Sequence, residues 1–445
     1  MTDYSRHLLE AFERRSARIG VVGLGYVGLP LVRALHAAGF AVVGFDIDAQ
    51  KIEKLKRGEG YLKHLGPALF RDLAASNRFS PTDRPADLAG CDAVVLCVPT
   101  PLGGHREPDL SFVRDSTRLV ADVLRPGMLV SLESTSYPGT TRELCLPILE
   151  RAASRFGGQV GRDYFVVFSP EREDPGRKDV QTHQIPRLVG GITPHCSRVG
   201  VSMYSAAIEH VIAVDSAEIA EAAKLLENIY RAVNIALVNE LKTILTPMGI
   251  DIWKVIQAAS TKPFGFQPFF PGPGLGGHCI PIDPYYLAWK ARELGHTTRF
   301  IELAGEINHG MPSYVVSQVA AALNADGKPL KGSRVLVLGI AYKPDIDDVR
   351  ETPAAEIIDL LMEAGAQVSY HDPHVAVFPP MRKHSIVLAS QPLTDELAAA
   401  ADAVVIVTDH AAIDFGIVAR HARLVVDTRN AMATCGPVAG RVVKA

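Results

Sequence analysis

Cysteine is scarce in these 445 residues. There are six, Cys91, Cys97, Cys145, Cys196, Cys279 and Cys435, and no two form a CxxC pair. That pattern excludes a disulfide framework and a zinc site, and it points to reduced thiols in a cytoplasmic protein. No metal is expected. The sequence also lacks any apolar run near the roughly 20 residues that span a bilayer. Its opening segment, MTDYSRHLLEAFERRSARIG, is polar and charged, unlike a signal peptide. An excess of one charge is missing too. The net charge of -3 argues against a general nucleic-acid or anionic-membrane binder. Apolar residues are plentiful: 47% are hydrophobic and 21% charged, so a large core is within reach and global disorder is excluded. At roughly 150 residues per domain the length suggests about three domains.

From Ala17 onward short apolar runs alternate with helix-like segments. ARIGVVGLG, AVVGFDID, CDAVVLCVPTP, GMLVSLESTS, DYFVVFSPE and PRLVGG are strand candidates. Such an alternation predicts a parallel sheet covered on both faces. The pattern changes at Val214. Ile219, Ala223, Leu226, Tyr230, Val233 and Leu237 recur at helical spacing, with Asp215 or Ser216 as cap. A long helix and a mainly helical region are expected to about Asn324. KPLKGSRVLVLGIAYKPD then opens a second, smaller α/β segment with strands in AQVSYHDPH, ADAVVIVTDH and ARLVVDTRN. The expected architecture is α/β: two Rossmann-like, doubly wound parallel-sheet domains joined by a long central helix and helical region. The boundaries read as 1–213, 214–324 and 325–445.

Gly23, Gly25 and Gly28 form G-x-G-x-x-G directly after a strand and at a helix start. The first glycine permits a tight turn, the second a close approach of backbone to a pyrophosphate, the third close helix–strand packing. Asp46 ends the next strand, about 20 positions on, where a carboxylate bonds a ribose 2′-hydroxyl and repels a 2′-phosphate. The glycines alone would also suit a flavin; with Asp46 the context favours NAD.

Cys279 sits in PGPGLGGHCIPIDPYYL. Oxidising an alcohol to a ketone needs no thiol. Taking a primary alcohol to an acid makes one useful, because a thiolate adds to the intermediate aldehyde and makes a second hydride transfer feasible. Gly274, Gly276 and Gly277 would let backbone approach a substrate, and His278 or the following helix start would lower the thiol pKa. Asp283-Pro284 reads both as a helix cap with a first-turn proline and as a carboxylate able to hold a water. Lys224 and Asn228 stand at i and i+4 and share a helix face; spacing alone would leave them on a solvated surface.

These residues bring a family into view. GVVGLGYVGLPL, VVGFDID, CVPTPL, ESTSYPGTT, FSPERE, AKLLENIYRAVNIALVNE, PGPGLGGHCIPIDP and GIAYKPDIDDVRETPA, in this order, resemble nucleotide-sugar 6-dehydrogenases of the UDP-glucose/GDP-mannose dehydrogenase superfamily. The resemblance runs from about Arg18 to Arg429. Within it, TKPFGFQPFFPGPGLGGHCIPIDPYYL and FSPEREDPG look most like UDP-N-acetylglucosamine 6-dehydrogenases.

The resemblance implies roles for matching residues. Cys279 would be the nucleophile, Lys224 the stabiliser of the developing oxyanion, and Asn228 its positioning partner. Glu171, Asp283 and Thr135 would organise the water that cleaves the thioester; Pro175 stands where the family often has a second glutamate, so Glu171 carries that role without it or Glu173 contributes. Gly23, Gly25, Tyr26, Val27, Gly28, Asp46, Thr100, Pro101, Thr135 and Arg350 would hold NAD. Glu171, Lys224, Asn228, Gly276 and Lys343 would contact a UDP-sugar. A homo-oligomer, a dimer or a multiple of it, would assemble through the helical region, and the product would feed surface-polysaccharide synthesis.

UDP-N-acetylmannosamine and UDP-glucose are alternative substrates. A single-step β-hydroxyacid dehydrogenase would share the first domain and the Lys–Asn pair but lack the cysteine loop and the second α/β domain. A sugar-nucleotide sensor on a decayed fold should have lost Cys279 first.

Overall fold

The computed structural model describes residues 3–62, 65–103, 107–172, 182–277, 279–381 and 383–445. His278 and residues 173–181, Glu173 among them, lie outside them. The chain forms two compact units. One is Met1–Glu227 with Tyr285–Gly295; the other is Asn228–Pro284 with His296–Ala445.

The first unit is built on an eight-stranded sheet. Its strands are β1 (Arg18–Val22), β2 (Ala41–Phe45), β3 (Phe79–Thr82), β4 (Ala93–Leu96), β5 (Leu129–Leu132), β6 (Phe165–Phe168), β7 (Arg187–Gly191) and β8 (Val211–Val214). The order is β3-β2-β1-β4-β5-β6-β7-β8. Six strands thus follow the doubly wound dinucleotide-binding order, and two extend it. β4 shows why the segment folds this way. Ala93 and Val95 enter one apolar cluster, Val94 and Leu96 another, so alternate residues bury on opposite faces.

The sheet departs from the all-parallel expectation at one pair. β6 and β7 run antiparallel, with Val167 opposite Gly191 and Phe168 opposite Gly190. A parallel link needs a crossover of a dozen residues or more, usually helical. Among the described residues between these strands only the short turn Thr182–Gln184 is helical. The reversal puts the first residue of β7, Arg187, beside the carboxyl end of β6.

The second unit holds a five-stranded parallel sheet: β9 (Arg334–Leu338), β10 (Gln367–His371), β11 (Ala403–Ile406), β12 (Leu424–Asp427) and β13 (Arg441–Lys444), in the order β10-β9-β11-β12-β13. Leu336, Leu338, Val404 and Ile406 face one cluster; Val335, Val337, Ala403 and Val405 face the other. Two α/β sheets, the first parallel except at the β6–β7 pair and the second fully parallel, and a long helix are therefore present.

That helix, Ala217–Leu245, is 29 residues long. Its polarity is inverted relative to an ordinary surface helix. Ile219, Leu226, Tyr230, Leu237, Leu241 and Ile244 are exposed, while Glu221, Lys224, Asn228, Asn239 and Lys242 are buried.

Candidate active site

In the first unit the expected cofactor residues cluster at the carboxyl ends of neighbouring parallel strands. Gly23 follows β1 with φ of +92°, and a Cβ there would lie 2.4 Å from Cys97 O. A Cβ on Gly28 would lie 1.8 Å from Gly23 O. Both positions exclude a side chain. Gly25 differs: a Cβ there would meet nothing within 4 Å. That open space adjoins the start of the helix Gly28–Ala37, where Val27 at the N-cap offers no side-chain acceptor. An anion is the natural complement of such a terminus. Tyr26 and Val27 are half-buried against the core.

Asp46 is buried directly after β2. Its Oδ2 accepts from Leu24 N at 2.9 Å and lies 3.2 Å from Lys51 Nζ; its Oδ1 accepts from Asp48 N at 3.0 Å. Thr100, buried, and Pro101 follow β4, and Tyr286 donates to Pro101 O at 3.3 Å. Thr135 follows β5. Its neighbour Ser134 accepts from Val98 N at 2.9 Å and donates to Val98 O at 2.8 Å, stitching the loops after β4 and β5 together. Open space at Gly25, a buried acid after β2 and a joined pair of strand-end loops fit a dinucleotide.

Glu171 follows β6 and is held at both oxygens. Oε2 pairs with Arg187 at 2.7 Å, and Oε1 accepts from Arg172 N at 2.6 Å. Arg187 also pairs with the buried Glu133. Tyr204 donates to Glu133 at 2.6 Å, contacts Ser131 Oγ at 2.8 Å and lies under the Arg187 guanidinium at 5.0 Å. Nothing local in the sequence marks this network: PRLVGG reads as a strand, and Glu133 lies 54 residues away along the chain.

Lys224 is buried, not on a solvated face. One turn earlier, Glu221 accepts from Gly139 N at 2.6 Å, Thr141 N at 2.9 Å and Thr141 Oγ1 at 2.6 Å. Burial lifts its carboxyl to about 7 against those hydrogen bonds. The loop leading from Thr135 is thereby pinned to the helix that carries Lys224.

In the second unit, Asn228 Nδ2 donates to Asp283 Oδ2 at 2.6 Å, and both are buried. Asp283 opens the helix Asp283–Glu293. Cys279 is exposed just before it, and its carbonyl accepts from Ile282 N at 3.1 Å and Asp283 N at 2.8 Å. The glycines of its loop serve close packing. A Cβ on Gly276 would lie 2.5 Å from Tyr342 Cβ, and Gly277 N donates to Arg350 O at 3.0 Å. The thiol loop is thus seated on Tyr342 and the 350–351 backbone. The Arg350 guanidinium grips Asp348 at 2.6–3.0 Å. Lys343 is half-buried in the turn after β9.

Asp345, His374 and His410 have possible ligand atoms within 4.8 Å of one another. Both ring nitrogens of His410 are engaged, however, with Asp345 N and Asp372. Among the described residues no helix is long and apolar enough to cross a membrane.

Comparisons with known proteins agree along the chain. Residues 17–208 match the NAD binding domain of the UDP-glucose/GDP-mannose dehydrogenase family, 218–310 its central domain and 336–434 its UDP binding domain. A UDP-N-acetyl-D-glucosamine 6-dehydrogenase of Pseudomonas aeruginosa is 38% identical over 85% of this chain and 88% of its own. A UDP-N-acetyl-D-mannosamine dehydrogenase of Pyrococcus horikoshii is 34% identical over 93% of this chain and 95% of its own. A solved UDP-D-ManNAc dehydrogenase structure from Pyrococcus horikoshii superposes with a TM-score of 0.83 at 30% identity, over 96% of this chain and 98% of that one.

Proposed function

The chain belongs to the UDP-glucose/GDP-mannose dehydrogenase family, and on that premise we propose that it oxidises C6 of UDP-N-acetylglucosamine from primary alcohol to carboxylate through a covalent intermediate on Cys279. The coarser activity, an NAD-dependent UDP-sugar 6-dehydrogenase, follows from membership. The observation carrying the covalent reading is the exposed Cys279, on a loop seated against Tyr342 and followed at once by the buried Asp283–Asn228 pair.

The turn Gly23–Gly28, Asp46, Thr100, Pro101, Thr135 and Arg350 would hold NAD, which would supply the hydride acceptor for each of two oxidations. Cys279 Sγ adds to the aldehyde carbon left by the first oxidation and gives a thiohemiacetal. Loss of hydride from that carbon gives a thioester, and water cleaves it to the acid and the free thiol. Lys224 stabilises the oxygen that gains charge at each tetrahedral stage. Glu171, Asp283 and Thr135 orient the water, and the Glu171 carboxylate takes its proton. Gly276 and Lys343 contact the sugar nucleotide. In this reading residues 1–213 serve the cofactor, 214–324 the chemistry and 325–445 the nucleotide.

The 38% identity to a UDP-N-acetyl-D-glucosamine 6-dehydrogenase favours that sugar. The fuller coverage by UDP-N-acetyl-D-mannosamine dehydrogenases supports the C2 epimer as a second reading. The exposed stripe from Ile219 to Ile244 supports a homodimer formed through the long helix. The free cysteines suit a cytoplasmic enzyme of polysaccharide-precursor synthesis.

The test is NADH formed per sugar consumed, over a panel of UDP-sugars. Two NADH per UDP-N-acetylglucosamine, with a uronic acid as product, is the expected result. One NADH per sugar would remove the covalent step. Turnover of UDP-N-acetylmannosamine alone would keep the chemistry and change the substrate.

A further inference from the structure

The two sheets carry the same turn. In the first, Gly23 N donates to Phe45 O at 2.8 Å, and Asp46 accepts from Leu24 N at 2.9 Å and Asp48 N at 3.0 Å. In the second, Gly339 N donates to His371 O at 2.9 Å, and Asp372 accepts from Ile340 N at 2.7 Å and His374 N at 2.8 Å. Asp372 therefore occupies, in its own sheet, the place that Asp46 occupies beside β1.

The two acids differ in what else they meet. Asp46 faces Lys51, whose side chain is one-third exposed. Asp372 faces His410: Nε2 donates to Oδ2 at 3.0 Å, and both side chains are 0% exposed. Asp372 Oδ2 also takes Ala341 N at 3.3 Å, and Oδ1 takes Val375 N at 2.9 Å. Burial opposes the charge on Asp372, but His410 and the Ile340 amide more than offset it and hold the carboxyl at about 2. No oxygen of Asp372 remains for a ribose.

His410 reaches further. Its Nδ1 accepts from Asp345 N at 2.9 Å, which assigns the ring proton to Nε2. Asp345 holds a left-handed φ of +60°. Thr408 Oγ1 donates to Ala341 O at 2.5 Å. The segment 340–345 is thus fixed at its start by Asp372 and at its end by His410, with Lys343 between.

We propose that the buried Asp372–His410 pair is a positioning device for Lys343, setting this turn for a uridine diphosphate group in place of the dinucleotide that the equivalent turn in the first sheet receives. The proposal rests on the reading of Lys343 as a sugar-nucleotide contact.

The test is titration of the full chain with UDP, and separately with NAD, followed by calorimetry, alongside thermal unfolding. His410→Phe removes both bonds. His410→Asn keeps an acceptor for Asp345 N; His410→Gln keeps a donor for Asp372 and loses that acceptor. UDP affinity should fall about tenfold or more in the Phe variant, with NAD affinity within twofold of wild type. The Asn variant should recover most of the loss and the Gln variant less. If Lys343→Met is added to His410→Phe, the double variant should bind UDP no worse than Lys343→Met alone. Should the Phe variant fail to fold, the order of the Asn and Gln variants decides. UDP affinity within twofold of wild type in every folded variant, or equal losses for UDP and NAD, would overturn the proposal. A wild-type chain that binds no UDP would instead overturn the sugar-nucleotide reading, and the proposal with it.

Discussion

Asn228 Nδ2 meets Asp283 Oδ2 at 2.6 Å, so the long helix is tied by one buried hydrogen bond to the first residue of the helix behind Cys279. The amide donates and the carboxylate accepts, so the bond helps to orient the Asp283 carboxylate. Asp283→Ala should therefore lower kcat by about 10²-fold to 10⁴-fold, the range for a positioned acid–base group, with a smaller change in KM. Steady-state NADH formation measures both. An unchanged kcat would reduce Asp283 to a helix cap.

In the proposed site Asp46 would set cofactor choice. Asp46→Ala should raise KM for NAD by roughly tenfold to a hundredfold, in line with about 1.5–3 kcal/mol for hydrogen bonds to a charged acceptor. The preference for NAD over NADP should narrow in the same variant. Parallel titrations with the two dinucleotides check it, and an unaltered ratio would contradict the assignment.

Arg187 shares its guanidinium between the buried Glu133 and Glu171. Arg187→Met leaves two carboxylates facing each other with no cation between them. The expected loss is about 3–5 kcal/mol, as when one partner is removed from a buried ion pair. Denaturant unfolding measures it. Adding Glu133→Gln should restore part of the loss, because one of the two stranded charges is then gone.

Lys242 is buried over the Tyr314 ring at 5.4 Å, and among the described residues its ammonium has no hydrogen-bond partner. Burial, reinforced by Arg429 and opposed by Asp427, lowers its pKa to about 7. An unfolded lysine titrates near 10.4. Between these values the unfolded chain binds more protons, so stability rises as the pH climbs from about 7 towards 10. Lys242→Met should be more stable than wild type at pH 7, by a few kcal/mol, about 1.4 kcal/mol for each tenfold change in proton affinity. The gap should shrink by pH 9.5. Urea titrations at the two pH values decide it; a variant less stable at pH 7 would mean that the amine is stabilised by something other than its charge state.

The parts of the molecule legible in its sequence are those written locally. The glycine turn and Asp46 lie in one βαβ stretch, and their spacing alone fixes their geometry. Three strands carry no clear mark in the sequence. β3 is FSPT, with Pro81 tolerated because the strand lies at the sheet edge. β8 is VIAV, with its middle residues exposed, and β13 is a short run at the chain end. Strand direction carries no compositional mark, so the reversal at β7 and the place of Arg187 could not be read. The periodic stripe on the long helix was legible, but its side was not. Periodicity says which residues share a face, and only packing says that Leu226 and Tyr230 face outward while Lys224 and Asn228 face inward. His410 and Asp372 are 38 residues apart and look unremarkable in a string of letters.

The repeated turn gives the chain an internal control. Gly23 and Gly339 each clamp only the strands of their own sheet, with Cys97 O 2.4 Å and Thr408 O 2.2 Å from where a Cβ would sit. The same alanine lesion can therefore be placed twice in one molecule, once beside each proposed ligand. Whichever ligand is lost identifies the half that was damaged, while the other half reports that the rest of the protein is sound.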